Sequence, residues 1–490
     1  MGFSVKRGIA SVLGTSVLQL LIGLILGPLL VRFLGAERFG DYVFVMSLCG
    51  ILMVFVNAGI FDSVRKFLAE DRAEPGWEDW VFAFHVRLSV LLLLIVLLPL
   101  LLSMHFGLVS ALVGGKNTRY LYLVPLYLIA EQFFLLNRGT LLGLGMDVWS
   151  EPLLVLRKIC MGAVALSLIW SGFGAVGAIV GEIVAATIGF VIGGVLVSRR
   201  LRTRTVLRQS PSWFPASSVH TYNNLSTVTG FMVVLLYEAD VILVQTFLGS
   251  EQTGYYKAAL LVAEFLWFVP KAVEIVFLQS TSEMWSQGRH EEISELISST
   301  TRYTILFTGL VGIGLVALAD PFLGWYFGPE FVAAVPALVV LVPGALGFAV
   351  ARPIMAVGQA SGELRPIMYA TGAAAALNLV LDALLIPRLG IGGAAIGTTV
   401  GYGSMLLFNG VAARSIGFDP LTNLRITRIG VTFAVSAMVI LPLEAIIASD
   451  SLSLVVVPPV GAVVFSIAAV STRAVDPTEA RSGLKSFIPS

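Results

Sequence analysis

The chain alternates between long apolar segments and short polar connections. A membrane-spanning helix needs about 20 mostly apolar residues, because the hydrocarbon core of a bilayer is about 30 Å thick. Fourteen segments meet this requirement and are continuously apolar, so they predict spanning helices rather than the alternating strands of a membrane barrel. The segments are residues 8–31, 40–61, 82–103, 119–143, 152–171, 174–198, 223–248, 253–279, 300–327, 331–357, 366–387, 390–413, 428–448 and 452–471.

The overall composition agrees with this pattern. Hydrophobic residues make up 57% of the 490 positions and charged residues only 12%, and the mean hydropathy is +0.91. A soluble domain carries about 25% charged residues, so this chain cannot coat a soluble surface. Its net charge of +1 also offers no basic surplus for nucleic acid. We therefore predict an all-α polytopic membrane protein of about fourteen helices, and we exclude a soluble enzyme and a nucleic-acid partner.

Cysteine and histidine residues give no sign of a catalytic centre. Cys49 and Cys160 both fall in apolar segments, and the four histidines are scattered without metal-ligand spacing. We therefore expect no catalytic residue, no metal site and no disulfide framework. The first apolar run is too long for a cleavable signal peptide, so we expect it to be retained as the first span.

The basic residues between the segments predict the orientation. An even number of spans places both termini on one side, and loops rich in Lys and Arg stay in the cytoplasm. Eighteen basic residues fall on the side of the termini and five on the opposite side. We therefore expect a multi-pass protein of the cell membrane with both termini cytoplasmic and an Arg-rich segment, 199–208, that faces anionic lipid. The eighteen are Lys6, Arg7, Arg65, Lys66, Arg72, Arg199, Arg200, Arg202, Arg204, Arg208, Arg289, Arg365, Arg414, Arg425, Arg428, Arg473, Arg481 and Lys485. The five are Arg32, Arg38, Lys116, Arg119 and Arg388.

The two halves of the chain resemble each other at a nearly constant offset. The sequence FLGAERFGDY at 33–42 matches FLGSEQTGYY at 247–256, which is an offset of 214. The glycine-rich sequence at 174–181 matches that at 390–397, at an offset of 216. Since the offset corresponds to six spans, the repeat is parallel, with its axis along the membrane normal.

A third match, between Arg138 and Arg352 at an offset of 214, supports the same duplication. The pattern predicts two six-span lobes with two extra spans at the C-terminal end. The predicted divisions are a first lobe at 1–198, a cytoplasmic basic linker at 199–222, a second lobe at 223–413, spans 13 and 14 at 428–471, and a cytoplasmic tail at 472–490.

These motifs, in their order, resemble one transporter family. Besides the two turn sequences above, they include FGPEF at 327–331 and NLVLD at 378–382, which leads into IPRLGIGGAA at 386–395. The chain resembles the polysaccharide-transport branch (O-antigen-type oligosaccharide flippases) of the multidrug/oligosaccharidyl-lipid/polysaccharide exporter superfamily, over nearly its whole length. The resemblance implies two six-helix lobes around a central cavity, which the first two helices of each lobe border. It also implies the movement of a polyprenyl- or dolichyl-phosphate-linked oligosaccharide across the membrane.

The eighth span is the most informative candidate for substrate binding. Lys257, Glu264 and Lys271 recur every seven residues and Glu274 follows Lys271 by three, so one continuous helix would place all four on one face. A charge in hydrocarbon is costly, so this face should meet a partner or a cavity. Two interpretations stay open and are compatible: an ion-pair seam against acidic residues of span 7, or a cavity wall where the two ammonium groups neutralise a diphosphate.

Four further side chains complete the predicted substrate-binding set. Gln19 in span 1 and Asn57 in span 2 are costly to leave unpaired in a membrane. Arg65 follows at the cytoplasmic end of span 2, and Glu238 lies on a polar face of span 7. The resemblance favours these positions, because the first two helices of each lobe border the cavity in that family.

For the other charges within spans, we expect structural roles rather than substrate contact. Glu131 and Arg138 stand seven residues apart in span 4 and could pair. Arg157 and Lys158 in span 5 sit where one of them can extend to the membrane interface. Glu182 in span 6 has no obvious partner in the sequence.

We expect a flippase that works by alternating access, with no catalytic activity and with a lipid-linked glycan as its substrate. The alternative is a cation-coupled multidrug or metabolite antiporter of the same superfamily, whose typical twelve spans argue against it. A membrane glycosyltransferase or polymerase is excluded, because loops of roughly 20–25 residues are too short for a catalytic domain. No ATP-binding motif is present, so the candidate cofactor is a coupling ion, H⁺ or Na⁺. The expected partners are membrane lipid and glycan-assembly enzymes, and we expect a monomer.

Overall fold

Glycine and proline positions divide the apolar segments into separate helices. The computed structural model describes residues 2–107, 118–422, 424–447 and 449–475, with side chains from residue 14 onward except for residue 279. Its α-helices, in chain order, are α1 (Gly2–Asn57), α2 (Ile60–Leu68), α3 (Trp77–His105), α4 (Thr118–Leu121), α5 (Val124–Gly143), α6 (Asp147–Leu168), α7 (Gly174–Ser198), α8 (Ala216–Leu248), α9 (Ser250–Ala263), α10 (Phe268–Ser286), α11 (His290–Ala317), α12 (Ala319–Tyr326), α13 (Val335–Ala360), α14 (Leu364–Leu389), α15 (Ile391–Ile416), α16 (Ile426–Ile446) and α17 (Asp450–Ser471). Ile169–Phe173 is a π-helical turn, and Thr203–Leu207, Glu264–Trp267 and Pro329–Ala334 are 3-10 turns.

Some of the basic residues that predict the orientation fall beyond this description. Lys116, Arg481 and Lys485 lie outside the described residues, as do the side chains of Lys6 and Arg7. The predicted cytoplasmic tail also lies outside them from residue 476 onward.

The helices confirm an all-α polytopic membrane protein. Eleven helical stretches among the described residues are long and apolar enough to cross a membrane. Two of them, Gly14–Asn57 with 44 residues and Asp147–Ser198 with 52, exceed one crossing, because at 1.5 Å per residue they measure about 65–80 Å. Non-helical backbone interrupts the first at Gly35 and the second at Gly172. If each counts as two spans, the described residues hold thirteen. The predicted span 8, which α9 and α10 cover, is not among the candidate stretches, so the exact number of fourteen stays a prediction.

The predicted continuous helix of span 8 is wrong. A 3-10 turn, Glu264–Trp267, separates α9 from α10. Pro270 is the third residue of α10, and a proline has no N–H to donate and crowds the carbonyl four residues earlier. The charged residues of span 8 therefore lie on two helices, with Lys257 on the first and Lys271 and Glu274 on the second.

The internal repeat recurs in the backbone geometry of paired glycines. Gly35 has φ 70° and ψ 169°, and Gly249, 214 residues later, has φ 84° and ψ −178°. Gly174 has φ 54° and ψ −132°, and Gly390, 216 residues later, has φ 61° and ψ −143°. A positive φ strains residues that carry a side chain, so glycine is retained at the same kink in both halves.

The chain divides into two compact units, Met1–Gly254 and Tyr255–Ser490. In the first unit, α8 packs along α1, and α7 packs on both α5 and α6. In the second unit, α15 packs on both α13 and α14, while α16 contacts α11 and α17. The predicted lobes assign α8 to the second half, whereas its contacts with α1 place it in the first compact unit. The lobe boundaries stay a prediction.

In the second unit, the contact between α13 and α15 depends on glycine. A Cβ on Gly344 would lie 2.4 Å from the Cα of Thr399, and a Cβ on Gly347 would lie 2.8 Å from the Cα of Gly403. Small residues let two helix backbones approach closely in a membrane, where packing rather than water drives association.

We expect Gly344→Ala to lower the free energy of unfolding by about 1–3 kcal/mol, because the added methyl group meets backbone that cannot rotate away. Thermal unfolding of the detergent-purified protein measures the effect. Gly403→Ala is the matched control on the facing helix, since a Cβ there meets nothing within 4 Å. Equal unfolding temperatures for Gly344→Ala and the wild type would contradict the close contact.

Candidate functional site

A buried acid–base network lies among α1, α5, α6 and α7 of the first unit. Arg157 of α6 donates to Glu131 of α5, with 2.8 Å between Nη1 and Oε1. Its Nη2 lies 3.4 Å from Oε2 of Glu182 on α7. The hydroxyl of Tyr42 on α1 donates to Oε1 of the same Glu182 at 3.2 Å. The guanidinium is thus balanced by two carboxylates, as a charge in an apolar surrounding requires.

This pairing differs from the expectation for span 4. Arg138 pairs with Glu151 at 2.9 Å and not with Glu131, because the start of α6 brings Glu151 beside the end of α5. Arg157 does not extend to an interface but is held by Glu131, and Glu182 has two partners that the sequence did not suggest.

A cavity of about 200 Å³ opens beside this network within the first unit. Its lining includes Gln19, Arg157, Lys158 and Glu182, with Leu154 and Met161 as apolar neighbours. The ammonium group of Lys158 donates to the backbone oxygen of Gln19 at 2.9 Å. The structure therefore brings predicted Gln19 together with two cations and one carboxylate on a common cavity wall.

The paired turn sequences of the repeat contact each other reciprocally. A Cβ on Gly40, the eighth residue of the first turn, would lie 1.7 Å from the backbone oxygen of Ser250, the fourth residue of the second. A Cβ on Gly254, the eighth residue of the second turn, would lie 2.1 Å from the backbone oxygen of Ala36, the fourth of the first. The hydroxyl of Ser250 also donates to Asp41 at 2.5 Å. Backbone packs directly on backbone here, so both glycines are required.

The other predicted residues of the first unit lie apart from the cavity lining. The side-chain amide of Asn57 donates to Gln132 at 3.1 Å, and its oxygen accepts the backbone N–H of Phe61. Glu238 accepts the hydroxyl of Ser47 at 2.6 Å. These hydrogen bonds supply the partners that polar groups need in a membrane helix.

Arg65 lies on α2, a short helix outside the candidate spans, and its side chain is exposed. Burial raises the pKa of the neighbouring Asp62 carboxyl, and the positive charge of Arg65 offsets part of this rise. The two residues form a polar end to the α1–α2 corner.

In the second unit, Lys271 and Glu274 of span 8 lie near an arginine from α13. Arg352 donates to Glu274 of α10, with 2.9 Å between Nη1 and Oε2. Its guanidinium carbon lies 5.0 Å from the ring centroid of Trp267, which favours a cation–π contact. Lys271 is exposed and lies within electrostatic range of Glu264, Glu274 and Arg352. Lys257 is half-buried on α9.

The predicted set does not include Arg352, Arg157 or Lys158, which the structure places in these two charged groups. A signal was available for Arg157 and Lys158: two adjacent cations stand inside an apolar 22-residue helix, and a carboxylate stands in each of two other spans. Within the described ranges, no group of three or more His, Cys, Asp and Glu residues lies close enough together to hold a metal ion.

Comparisons with known proteins match the chain to one family model and to two archaeal membrane proteins. Residues 5–265 match the family model described as polysaccharide biosynthesis protein. The probable low-salt glycan biosynthesis flippase Agl15 of Haloferax volcanii is 24% identical over 403 residues, which is 81% of this chain and 80% of that protein. An uncharacterized membrane protein of Methanocaldococcus jannaschii, MJ1068, is 27% identical over 183 residues, 36% of this chain and 35% of that protein.

Two solved structures share the fold. The lipid II flippase MurJ in an inward closed conformation has a TM-score of 0.73 at 14% identity, over 94% of this chain and 98% of that one. An inward-facing multidrug resistance transporter of the MATE family, in the MOP superfamily, has a TM-score of 0.68 at 16% identity, over 84% of this chain and 96% of that one. The relatives and neighbours with a named activity are flippases or transporters rather than enzymes, which agrees with the expected class.

Proposed function

This chain belongs to the polysaccharide biosynthesis protein family, and from that premise we propose that it is a flippase for lipid-linked oligosaccharide. It moves a glycan attached to a polyprenyl or dolichyl phosphate from the cytoplasmic to the outer leaflet by alternating access. The observation that carries the proposal is the family match together with the similarity to a glycan flippase over 81% of the chain.

The arrangement of charge supports a phosphate-bearing substrate. In the second unit, Lys271 is exposed on α10 and Arg352 lies nearby, while Glu264 and Glu274 keep the group balanced. Cations with adjacent carboxylates can release a phosphate as well as bind it, because each arginine or lysine keeps a partner when the ligand leaves. We propose that Lys257, Lys271 and the neighbouring acids contact the sugar–phosphate head while the lipid tail remains in the bilayer.

A coupling ion is part of the proposal. Lys271, Arg352, Glu264 and Glu274 in the second unit sum to no net charge when ionised, so a bound diphosphate would leave an excess of negative charge there. Uptake of H⁺ or Na⁺ would cancel that excess.

We further propose that both termini lie on the cytoplasmic side of the cell membrane, because most basic loop residues fall on that side. We also propose that the protein is a monomer and receives its substrate from glycan-assembly enzymes.

Replacing Lys271 with alanine, or Lys257 with alanine, should abolish glycan export without loss of protein from the membrane. The reason is the loss of an ammonium group that neutralises phosphate during transfer. Surface glycan in a strain that depends on this protein measures export, and immunoblotting of membranes measures its level. Arg414→Gln is the control, because Arg414 is an exposed cation whose partner is Asp419 rather than an acid of this group.

Wild-type export by both lysine variants would refute the cationic site on α9 and α10. The lipid that copurifies with the protein, identified by mass spectrometry, tests the substrate class independently. A polyprenyl- or dolichyl-linked glycan supports the flippase, whereas a bound drug or metabolite supports the antiporter alternative.

A further inference from the structure

We propose that the cavity in the first unit is a second phosphate-binding site, at which a phosphate of the substrate replaces Glu182 as the partner of Arg157. This inference rests on the proposed function, since it takes a lipid-linked phosphate or diphosphate as the ligand. It adds a site on α1, α6 and α7 to the charged group on α9 and α10.

Arg157 contacts its two carboxylates at different distances. The contact to Glu131 measures 2.8 Å, within the usual range for a charge-assisted hydrogen bond. The contact to Glu182 measures 3.4 Å, and the second contact of Glu182, from Tyr42, measures 3.2 Å. Glu131 therefore anchors the arginine, while Glu182 is the partner that a stronger acceptor can displace.

Glu182, and not Glu131, lines the cavity. The cavity wall contains Arg157, Lys158, Glu182 and Gln19, so a ligand in the cavity meets the loosely held carboxylate first. The volume of about 200 Å³ is many times the roughly 10–15 Å³ that one water molecule needs by a similar measure. A phosphate group fits, and the polar residues of this wall are two cations, Gln19 and the Glu182 carboxylate that the phosphate would displace.

The exchange keeps the arginine paired throughout. Removing the partner of a buried charge is costly, because the charge cannot regain its hydration. Phosphate oxygens match the planar donor fork of a guanidinium as a carboxylate does, so one anion can take the place of another at the same Nη2 group. Glu182 keeps the Tyr42 hydroxyl as a donor when it leaves and returns to Arg157 when the phosphate is released.

The test is binding of farnesyl diphosphate to the purified full-length protein, measured by isothermal titration calorimetry. We expect Glu182→Gln to bind farnesyl diphosphate about tenfold more tightly than the wild type does. The competing anion is gone, while glutamine keeps the size and shape of the glutamate side chain. Lys158→Gln should bind about tenfold more weakly. Glu151→Gln is the matched control, a similarly buried acid paired with Arg138 in the same unit, and should bind as the wild type does.

Inorganic diphosphate separates the two sources of the ligand chemistry. We expect it to compete with farnesyl diphosphate and to show the same tenfold gain in Glu182→Gln. If it does not compete, the farnesyl chain causes the binding and the proposal is overturned. Weaker or unchanged binding of farnesyl diphosphate by Glu182→Gln would overturn it as well, since damage to the fold predicts a loss and only removal of a competitor predicts a gain.

Failure of this site and failure of the flippase function give different results. If the wild type exports glycan but Glu182→Gln binds diphosphate no better, the site is refuted and the function stands. If Glu182→Gln binds more tightly but the wild-type protein moves no lipid-linked glycan in reconstituted vesicles, the phosphate site stands and the function is refuted.

Discussion

Replacing Gly40 with alanine should abolish glycan export and strongly destabilise the first unit. The new methyl carbon would lie 1.7 Å from the backbone oxygen of Ser250, and 2.7 Å from its carbonyl carbon. Because both belong to backbone, no rotamer change relieves the overlap, and the start of α9 has to move away from α1. We expect a loss of about 3 kcal/mol or more in unfolding free energy, at or above the upper end for overpacked sites. Thermal unfolding and the export assay measure the two effects.

The displacement should also break the hydrogen bond from Ser250 to Asp41. Gly27→Ala is the matched control on the same helix, because a Cβ there meets nothing within 4 Å, and it should behave as the wild type. Gly254→Ala should reproduce the defect of Gly40→Ala through its contact with Ala36. The double variant should be little worse than either single one, since residues that share one contact are not additive. Additive losses, or normal export by Gly40→Ala, would contradict the reciprocal contact.

The sequence predicts which residues of the two turns are equivalent, but not that the turns contact each other. The offset of 214 identifies Gly40 and Gly254 as equivalent residues, and the positive φ of Gly35 and Gly249 explains why both turns kept glycine. What the offset cannot give is the contact between the two turns. A repeat states which residues are alike, whereas their distance depends on how two helices pack.

The number of spans follows from hydropathy because the bilayer sets one length for every crossing. The partners of the charged residues are harder to predict from the sequence, because periodicity along one helix contains no information about the neighbouring helices. The seven-residue spacing predicts that Glu274 belongs to a stripe on span 8, whereas its partner in the structure is Arg352, 78 residues further along the chain. The spacing also predicts a continuous span 8, whereas Pro270 disrupts the preceding turn, which is a local effect visible in the sequence.

The cavity on α6 shows a second limit of sequence reasoning. A cation within an apolar helix is compatible with extension to the interface or with a buried partner, and the sequence does not distinguish them. The decision depends on whether neighbouring helices present carboxylates at the same depth. In the structure Glu131 and Glu182 do so for Arg157, whereas Lys158 reaches a backbone oxygen.

Replacing Arg157 with methionine should prevent accumulation of the folded protein. The change removes the shared partner of Glu131 and Glu182 while keeping an apolar chain in the space. Breaking a buried ion pair costs about 3–5 kcal/mol, because the remaining charge is left without hydration or a partner, and here two carboxylates remain. The measurement is the amount of monodisperse protein extracted from membranes, with its unfolding temperature.

The same physics predicts a rescue that separates stability from transport. Adding Glu131→Gln and Glu182→Gln to Arg157→Met removes both uncompensated charges, so the triple variant should fold, as neutral replacements of buried ion pairs often do. Its export should stay absent, because no guanidinium remains to donate hydrogen bonds to a phosphate. The matched control is the double variant Arg138→Met with Glu151→Gln. It should both fold and export glycan, since this ion pair lies outside the cavity lining. Export by the folded triple variant would show that Arg157 only balances its two neighbours, and the phosphate exchange at Glu182 would then be excluded.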